Sequence, residues 1–311
     1  MKWFLSLQTK QQAILALIVA NIIWGAASPI FKLSLQNIPP FTLAFLRFFL
    51  GSILLIFVVG KKIFIQISSW KDLLLLVLNG LTGITINIIF FFLGLRLTYA
   101  INAPVIASAG PIVTFFFAVL FLREKLVLKK LVGMILGTLG ILTIVFEPLL
   151  QSGIDGSILG NFFLVLAMLG AVLHTLTGRP LFQKADPLAL CWWTFVIGFV
   201  TFWPLALYEY LTIPNLYTSL DYRGYLGIGF GAVLSTTVAY SLYAWGLSKI
   251  SATDTAVFTY IDPVVGTILA YYLLHEAITA PFIIGALLIF GGIFLAEGRL
   301  HYHPLHKLKA D

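Results

Sequence analysis

The sequence predicts an all-α membrane protein whose ten transmembrane helices form two inverted five-helix repeats. Composition is the first observation, because 60% of the 311 residues are hydrophobic and only 10% are charged, whereas a soluble domain carries about 25% charged residues. The second is that apolar runs of about 18 residues or more recur along the chain, each long enough to cross a hydrocarbon core of about 30 Å. The third observation is that similar residues recur in the two halves of the chain at one fixed spacing. Such an apolar chain predicts residence in the lipid bilayer.

Pro, Gly and charged residues divide the chain into the ten predicted helices. The first half contains helices near residues 12–33, 40–60, 71–97, 100–122 and 129–147. The second half contains helices near residues 158–178, 187–211, 223–248, 252–274 and 279–298. The first apolar run continues to about Leu33 without an Ala-x-Ala site, so we interpret it as a retained helix and not as a cleaved signal. No stretch is left over for a soluble domain.

The positions of Lys and Arg predict the orientation in the membrane. An even number of helices places both termini on one side, and fifteen of the 19 Lys and Arg residues fall in segments on that side. The positive-inside rule therefore predicts cytoplasmic termini in a multi-pass protein of the inner or plasma membrane. The net charge of +7 is scattered between apolar runs instead of forming one basic patch, so we expect no nucleic-acid partner.

The two halves of the chain resemble each other at a spacing of 152 residues. This shift superposes Glu124 on Glu276 and Pro111 on Pro263. It also matches Gly94 with Gly246, Ala100 with Ala252, Gly133 with Gly285 and Gly140 with Gly292. Segment 123–130 carries four basic residues and segment 275–282 carries none, as opposite orientations require. We therefore predict a first repeat at 1–150 and a second at 151–311, joined in one membrane unit.

Several motifs are similar to those of the EamA-type transporters of the drug/metabolite transporter superfamily. The first helix carries Trp24-Gly25 with Pro29 beyond, and the second carries Arg47. The fourth and ninth helices each contain a proline and end in Leu-Arg-Glu or Leu-His-Glu, where the family often has Gly before the Glu. The resemblance covers nearly the whole chain. It implies ten helices in two inverted repeats, a central substrate cavity, and the export of metabolites or amino acids that many members perform.

Asp262 and Arg47 are the first candidates for substrate binding, because ionisable groups at membrane depth are costly and often functional. Asp262 lies about ten residues into the ninth predicted helix. Its neighbour Pro263 lacks a backbone N–H, so carbonyls one turn earlier are predicted to line a cavity. Arg47 lies about seven residues inside the second predicted helix and is suited to a carboxylate. The alternative is structural: each residue neutralises an opposite charge, or Arg47 pairs with Asp262 or joins helices.

Histidine and glutamate residues supply further candidates. His174, low in the sixth predicted helix, could relay protons near neutral pH. A hydrogen bond between helices is the alternative for His174. Glu124 and Glu276 fall at predicted helix ends, where we expect each carboxylate to be solvated or to cap a neighbouring helix.

Uncharged polar and aromatic residues at depth complete the predicted substrate site. They could line a cavity by stacking or hydrogen bonding, and packing between helices is the alternative for each. The candidates are Asn21, Trp24, Asn87, Tyr240, Tyr243 and Tyr260. Trp24 and Tyr260 rank first because they accompany the family motifs. The Gly133-x-x-x-Gly137 pair predicts close helix packing.

The motifs that are absent narrow the function to transport. No Gly-x-x-x-x-Gly-Lys loop is present, which excludes a P-loop ATP-driven pump, and His275-Glu276 does not extend to His-Glu-x-x-His because residue 279 is Thr. Three of the five His residues lie in the C-terminal tail, an arrangement that disfavours a membrane enzyme with a metal or nucleophile centre. A channel is the other rival, but two internal repeats around one cavity suit it poorly. We therefore predict a secondary transporter that is not an enzyme and needs no cofactor.

The expected partner is a small-molecule substrate. Arg47 and the family resemblance favour amino acids or related metabolites, exported by alternating access at a midplane cavity. The first helix has no carboxylate, which disfavours a purely cationic drug. A multidrug or nucleotide-sugar-like carrier stays the alternative among transporters, and the oligomeric state is open, with a monomer included.

Overall fold

Every element of secondary structure in the described residues is helical. The computed structural model describes residues 9–65, 69–113, 117, 128–151, 156–182, 184–247, 249 and 256–297. The α-helices are α1 (Thr9–Gly25), α2 (Ala27–Ser34), α3 (Pro40–Val59), α4 (Trp70–Gly80), α5 (Asn87–Leu97), α6 (Asn102–Ser108), α7 (Leu128–Gln151), α8 (Gly156–Phe182), α9 (Pro187–Thr212), α10 (Tyr222–Gly229), α11 (Ala239–Leu247), α12 (Ile261–Leu274) and α13 (Ala280–Glu297). Short 3₁₀ segments occupy Gly60–Ile63 and Ala256–Tyr260.

Length and hydropathy qualify these helices as membrane spans. Within the described residues, seven are long and apolar enough to cross a bilayer, and three shorter apolar helices cover Asn102–Val113, Phe258–Leu274 and Ala280–Leu295. The all-α membrane fold is thereby confirmed, and the helices lie close to the predicted ranges. The count of ten spans and the division at residue 150 stay predictions.

Two π-helical segments interrupt otherwise continuous spans. The first, π1, covers Leu81–Ile86 between α4 and α5, and the second, π2, covers Phe230–Val238 between α10 and α11. The shift of 152 residues carries π1 onto residues 233–238, inside π2. A π turn widens the helix and redirects the side chains within it, and such turns often occur at functional sites.

Helices α7 and α13 pack through glycines in a reciprocal pattern. A Cβ atom added at Gly140 would lie 2.6 Å from the carbonyl oxygen of Gly285, and one added at Gly292 would lie 2.5 Å from that of Gly133. The same Cβ at Gly292 would lie 2.8 Å from the backbone nitrogen of Gly137. Close packing at the Gly133–Gly137 pair is therefore confirmed. Because the shift of 152 exchanges the two contacts, they support the repeat prediction.

The sequence predicts Pro263 in the middle of a helix, but the structure places it at the start of one. It lies in the first turn of α12, which follows the 3₁₀ segment Ala256–Tyr260. A proline is accommodated in the first helical turn because its missing N–H would have no partner there. The break therefore comes from the change between 3₁₀ and α-helical geometry just before Asp262, and not from a proline inside a continuous helix.

Two buried glutamates close one end of the molecule, which we call the capped end. Glu276 accepts hydrogen bonds from the backbone N–H groups of Ala100 (2.7 Å) and Ile101 (3.0 Å), just before α6, and lies 3.6 Å from the Lys32 ammonium. Glu209 accepts bonds from the N–H groups of Phe41 (3.2 Å) and Thr42 (2.6 Å) at the start of α3, and from the Thr42 hydroxyl (2.8 Å). The capping prediction for Glu276 is confirmed. Glu124 lies outside the described residues.

Candidate functional site

Arg47 is a buried cation whose hydrogen-bond partners among the described residues are both neutral. Its side chain projects from α3, and the residue is 5% exposed. The Nε–H group donates to the Thr236 hydroxyl and an Nη2–H group donates to the Ser235 hydroxyl, both at 3.1 Å. No carboxylate forms an ion pair with Arg47 among the described residues, and its Nη1 nitrogen has no hydrogen-bond partner among them. A buried guanidinium with open donors is suited to an anion.

Two phenylalanine rings form cation–π contacts with the Arg47 guanidinium. The guanidinium carbon lies 4.8 Å from the centre of the Phe31 ring and 4.8 Å from that of the Phe48 ring. Both phenylalanines are fully buried. Cation–π attraction partly offsets the cost of burying the charge, yet it leaves the N–H groups at the edge of the guanidinium plane available. The rings therefore orient Arg47 without neutralising it.

The π2 segment supplies the polar partners of Arg47. Ser235 and Thr236 are neighbours within π2, and both side chains reach Arg47. The Ser235 carbonyl also accepts a hydrogen bond of 3.1 Å from the indole Nε1–H of Trp24. Ser235 and Thr236 of π2 thus bond both Arg47 of α3 and Trp24 of α1.

An aromatic group connects Trp24 with helix α11. The Trp24 ring centre lies 5.0 Å from that of Tyr240 and 5.1 Å from that of Tyr243. Tyr240 also packs edge to face against Phe195 of α9 at 5.0 Å. Tyr240 and Tyr243 are three residues apart and therefore share one face of α11. Trp24 contacts that face over almost one helical turn.

Asp262 lies beside Gly25, the residue that follows Trp24 in the chain. It is in the first turn of α12. A Cβ added at Gly25 would lie 2.8 Å from the Asp262 carbonyl oxygen, so glycine allows α1 to approach α12 there. Asp262 Oδ1 is buried and has no hydrogen-bond partner among the described residues. Asp262 and Arg47 do not form an ion pair.

Other buried polar atoms without a hydrogen-bond partner among the described residues lie on the same helices. They include Asn21 Oδ1 on α1, Ser28 Oγ on α2 and Ser241 Oγ on α11. Asn21 is 0% exposed, and its amide nitrogen donates to the Leu17 carbonyl at 2.8 Å within its own helix. Buried polar atoms are normally satisfied, so these atoms are candidates for contact with a polar ligand.

We call the residues that connect the two charges the Arg47–Asp262 cluster. It consists of Trp24, Arg47, Ser235, Thr236, Tyr240, Tyr243 and, through the contact of Gly25 with its backbone, Asp262. Sequence reasoning selected five of these members and missed Ser235 and Thr236. The available signal was the polar run Ser235-Thr236-Thr237 inside an apolar helix.

Two predicted site residues have their contacts elsewhere. His174 Nδ1 lies 3.0 Å from the Asn79 carbonyl oxygen, and Asn79 Nδ2 donates to the His174 carbonyl at 2.6 Å. These bonds join α8 to α4, as the alternative for His174 expected. Tyr260 packs edge to face on Phe290 of α13 at 6.1 Å. Within the described part of the chain, no group of three or more His, Cys, Asp or Glu side chains could hold a metal ion.

Comparison with known proteins identifies the kind of molecule that carries this cluster. The profile of the EamA-like transporter family matches residues 11–146 and again residues 158–297. The uncharacterized transporter YetK of Bacillus subtilis is 29% identical over 287 residues, covering 91% of this chain and 86% of YetK. A probable amino-acid metabolite efflux pump of Escherichia coli is 25% identical over 293 residues, covering 92% of this chain and 95% of the pump.

A solved structure shares the overall fold. One crystal structure superposes with a TM-score of 0.62 at 20% sequence identity, covering 93% of this chain and 98% of that protein. At this identity the likeness concerns the fold alone.

Proposed function

This chain belongs to the EamA-like transporter family, and from that premise we propose that it exports amino acids or related small metabolites across the cell membrane. The family membership makes it a multi-pass membrane transporter. The substrate, the direction and the cytoplasmic placement of both termini belong to the proposal. We place substrate binding at the Arg47–Asp262 cluster.

The absence of a carboxylate partner for the buried Arg47 among the described residues is the main support for this function. The free-energy cost of burying a guanidinium is normally offset by a carboxylate partner, and no described residue supplies one to Arg47. A carboxylate brought by the substrate would accept from one Nη1–H group and from the second Nη2–H group, in the paired geometry that arginine favours. The name of the Escherichia coli relative supports an amino-acid metabolite as the cargo.

Alternating access gives the cluster its role in transport. The cluster draws residues from α1, α3, π2, α11 and α12, so a substrate bound there would contact both predicted repeats. Rocking of one repeat against the other would expose the site to each side in turn. The π2 turn and the 3₁₀-to-α change before Asp262 are the irregular segments at which helices could bend during that motion.

The test is a counterflow assay with purified protein in liposomes. Vesicles loaded with unlabelled amino acids are expected to accumulate the same labelled amino acid, and Arg47→Gln is expected to weaken its apparent affinity at least about 30-fold. Arg47→Lys should recover only part of the affinity, because lysine keeps the charge but not the planar donor pair.

Arg223→Gln is the matched control. Arg223 bonds Asp221 (2.7 Å) and Gln36 (3.0 Å) outside the cluster, so the same substitution there should leave the apparent affinity unchanged. Full activity of the Arg47→Gln variant, or counterflow of no amino acid by the unaltered protein, would contradict the proposal.

A further inference from the structure

We propose that Asp262 binds the ammonium group of the substrate while Arg47 binds its carboxylate, so that the cluster recognises α-amino acids as zwitterions. This inference rests on the proposed function, since it concerns the same site. It adds a second recognition element and excludes simple carboxylates and simple amines as good substrates.

The cluster contains one basic and one acidic side chain that do not pair with each other. Arg47 bonds the hydroxyl groups of Ser235 and Thr236. Asp262 forms no ion pair with any described residue, and its Oδ1 atom is buried without a hydrogen-bond partner among them. A purely structural pair would have closed up, because the attraction between unlike charges grows as the dielectric falls in a buried site. Because the two side chains do not pair, each is available to a substrate group of opposite charge.

Aromatic side chains form the connection between Arg47 and Asp262. Arg47 bonds Ser235 and Thr236 of π2, and Tyr240 and Tyr243 follow on α11. These tyrosines lie three residues apart on α11, a rise of about 4.5 Å. The Trp24 ring contacts both tyrosines and is fixed by its bond to the Ser235 carbonyl. Gly25, which follows Trp24 in the chain, packs against the Asp262 backbone, so Trp24 lies between Arg47 and Asp262 in this series of contacts.

The donors and acceptors of the cluster match those of a zwitterionic amino acid. An ammonium group offers three donors and no acceptor, and a carboxylate offers only acceptors. The Asp262 end presents the unsatisfied acceptor Oδ1, and α1, which packs against α12 at Gly25, carries the unsatisfied acceptor Asn21 Oδ1. The Arg47 end presents only donors. A zwitterion whose two ends point to Arg47 and Asp262 would satisfy both sets.

The experiment measures binding of three matched ligands to the detergent-purified protein by isothermal titration calorimetry. The ligands are leucine, N-acetylleucine without an ammonium group, and leucinamide without a carboxylate, followed by the same triplet for any other amino acid that shows counterflow. The unaltered protein is expected to bind the free amino acid at least tenfold more tightly than either derivative.

Each charge variant is expected to lose one preference and keep the other. Asp262→Asn should bind the amino acid and its N-acetyl derivative within about twofold of each other, yet still reject the amide. Arg47→Gln should lose the preference over the amide and keep the preference over the N-acetyl derivative. Asp262→Glu, which retains the carboxylate, should recover part of the ammonium preference.

Gly25→Ala provides a variant that retains both charges. The added methyl group would contact the Asp262 backbone, so it should weaken amino-acid binding and reduce the ammonium preference while the preference over the amide persists. This variant keeps the inference testable if Asp262→Asn does not yield folded protein.

The outcomes separate this inference from the proposed function. If Asp262→Asn leaves the ammonium preference intact, or weakens all three ligands equally, Asp262 does not bind the ammonium and only this inference fails. If neither leucine nor any other amino acid binds to or is moved by the unaltered protein, the proposed function fails and this inference fails with it.

Discussion

The capped end and the Arg47–Asp262 cluster differ in how their charged side chains are hydrogen-bonded and paired. At the capped end, Glu276 bonds two backbone N–H groups and lies beside Lys32, and Glu209 bonds two more N–H groups at the start of α3. In the cluster, Arg47 has only neutral partners and Asp262 Oδ1 has none among the described residues.

Under the proposed function, this difference separates charges that stabilise the fold from charges that bind the substrate. A buried charge is tolerated when hydrogen bonds satisfy it, and the glutamates of the capped end meet this condition with backbone groups that would otherwise lack partners. The charges of the cluster do not meet it within the described residues, and intramembrane charges of that kind mark substrate or ion sites by default. Variants at the capped end should therefore alter stability first, and variants in the cluster should alter binding first.

Glu276→Gln should give the largest loss of stability. The glutamine keeps one acceptor but places an NH₂ group against a backbone N–H donor, and it removes the charge beside Lys32. We expect the free energy of unfolding to fall by about 3 kcal/mol, seen as a drop of roughly 5–10 °C in the thermal unfolding midpoint in detergent. Lys32→Gln is the control, because it leaves both amide bonds in place and should cost about 1 kcal/mol or less.

Glu209→Gln should destabilise the protein by a smaller amount. Pro40 begins α3, so Phe41 and Thr42 present the first N–H groups of that helix, and Glu209 accepts from both. The variant loses this cap and the favourable interaction of a negative charge with the helix start, about 1–2 kcal/mol. Thermal unfolding measures the loss, and the apparent affinity in counterflow should stay within twofold. A large change in affinity with unchanged stability would contradict the assignment of Glu209 to the stability of the fold.

Trp24→Phe should weaken substrate binding more than it weakens the fold. Phenylalanine keeps the ring contacts with Tyr240 and Tyr243 but loses the bond to the Ser235 carbonyl. A neutral hydrogen bond contributes about 0.5–1.5 kcal/mol, which corresponds to a roughly two- to tenfold weaker apparent affinity because Ser235 also holds Arg47. Counterflow at varied substrate concentration measures it. Unchanged affinity together with a lower unfolding midpoint would make Trp24 a packing residue only.

His174→Asn should have the smallest effect. The ring of His174 bonds the Asn79 carbonyl at the interface of α8 and α4, so we expect a loss of stability near 1 kcal/mol and transport within twofold of the unaltered protein between pH 6 and 8. A pH profile of counterflow is the measurement. Loss of the pH dependence in this variant would restore the proton-relay hypothesis.

Sequence reasoning reached the helices and several site residues because their signals are local. Apolar runs and helix ends can be identified within one segment, and Arg47 and Asp262 stand out as charges inside such segments. The roles of Ser235 and Thr236 could not be found in that way, because a hydroxyl in an apolar helix usually bonds its own backbone. Their role depends on the π2 turn, for which the sequence carries no simple signal. The position of Pro263 was misjudged because a proline marks a helix start as well as a break.

Hydropathy, repeated motifs and charge distribution are enough to predict an α-helical membrane transporter, because they do not depend on which helices touch. Which polar groups meet depends on how the helices pack. Arg47 and Ser235 are separated by 188 residues along the chain, and Ala100 and Glu276 by 176. Packing brought Glu276 to backbone donors and left Arg47 and Asp262 unpaired among the described residues. That outcome depends on helix geometry over distances that no local pattern encodes.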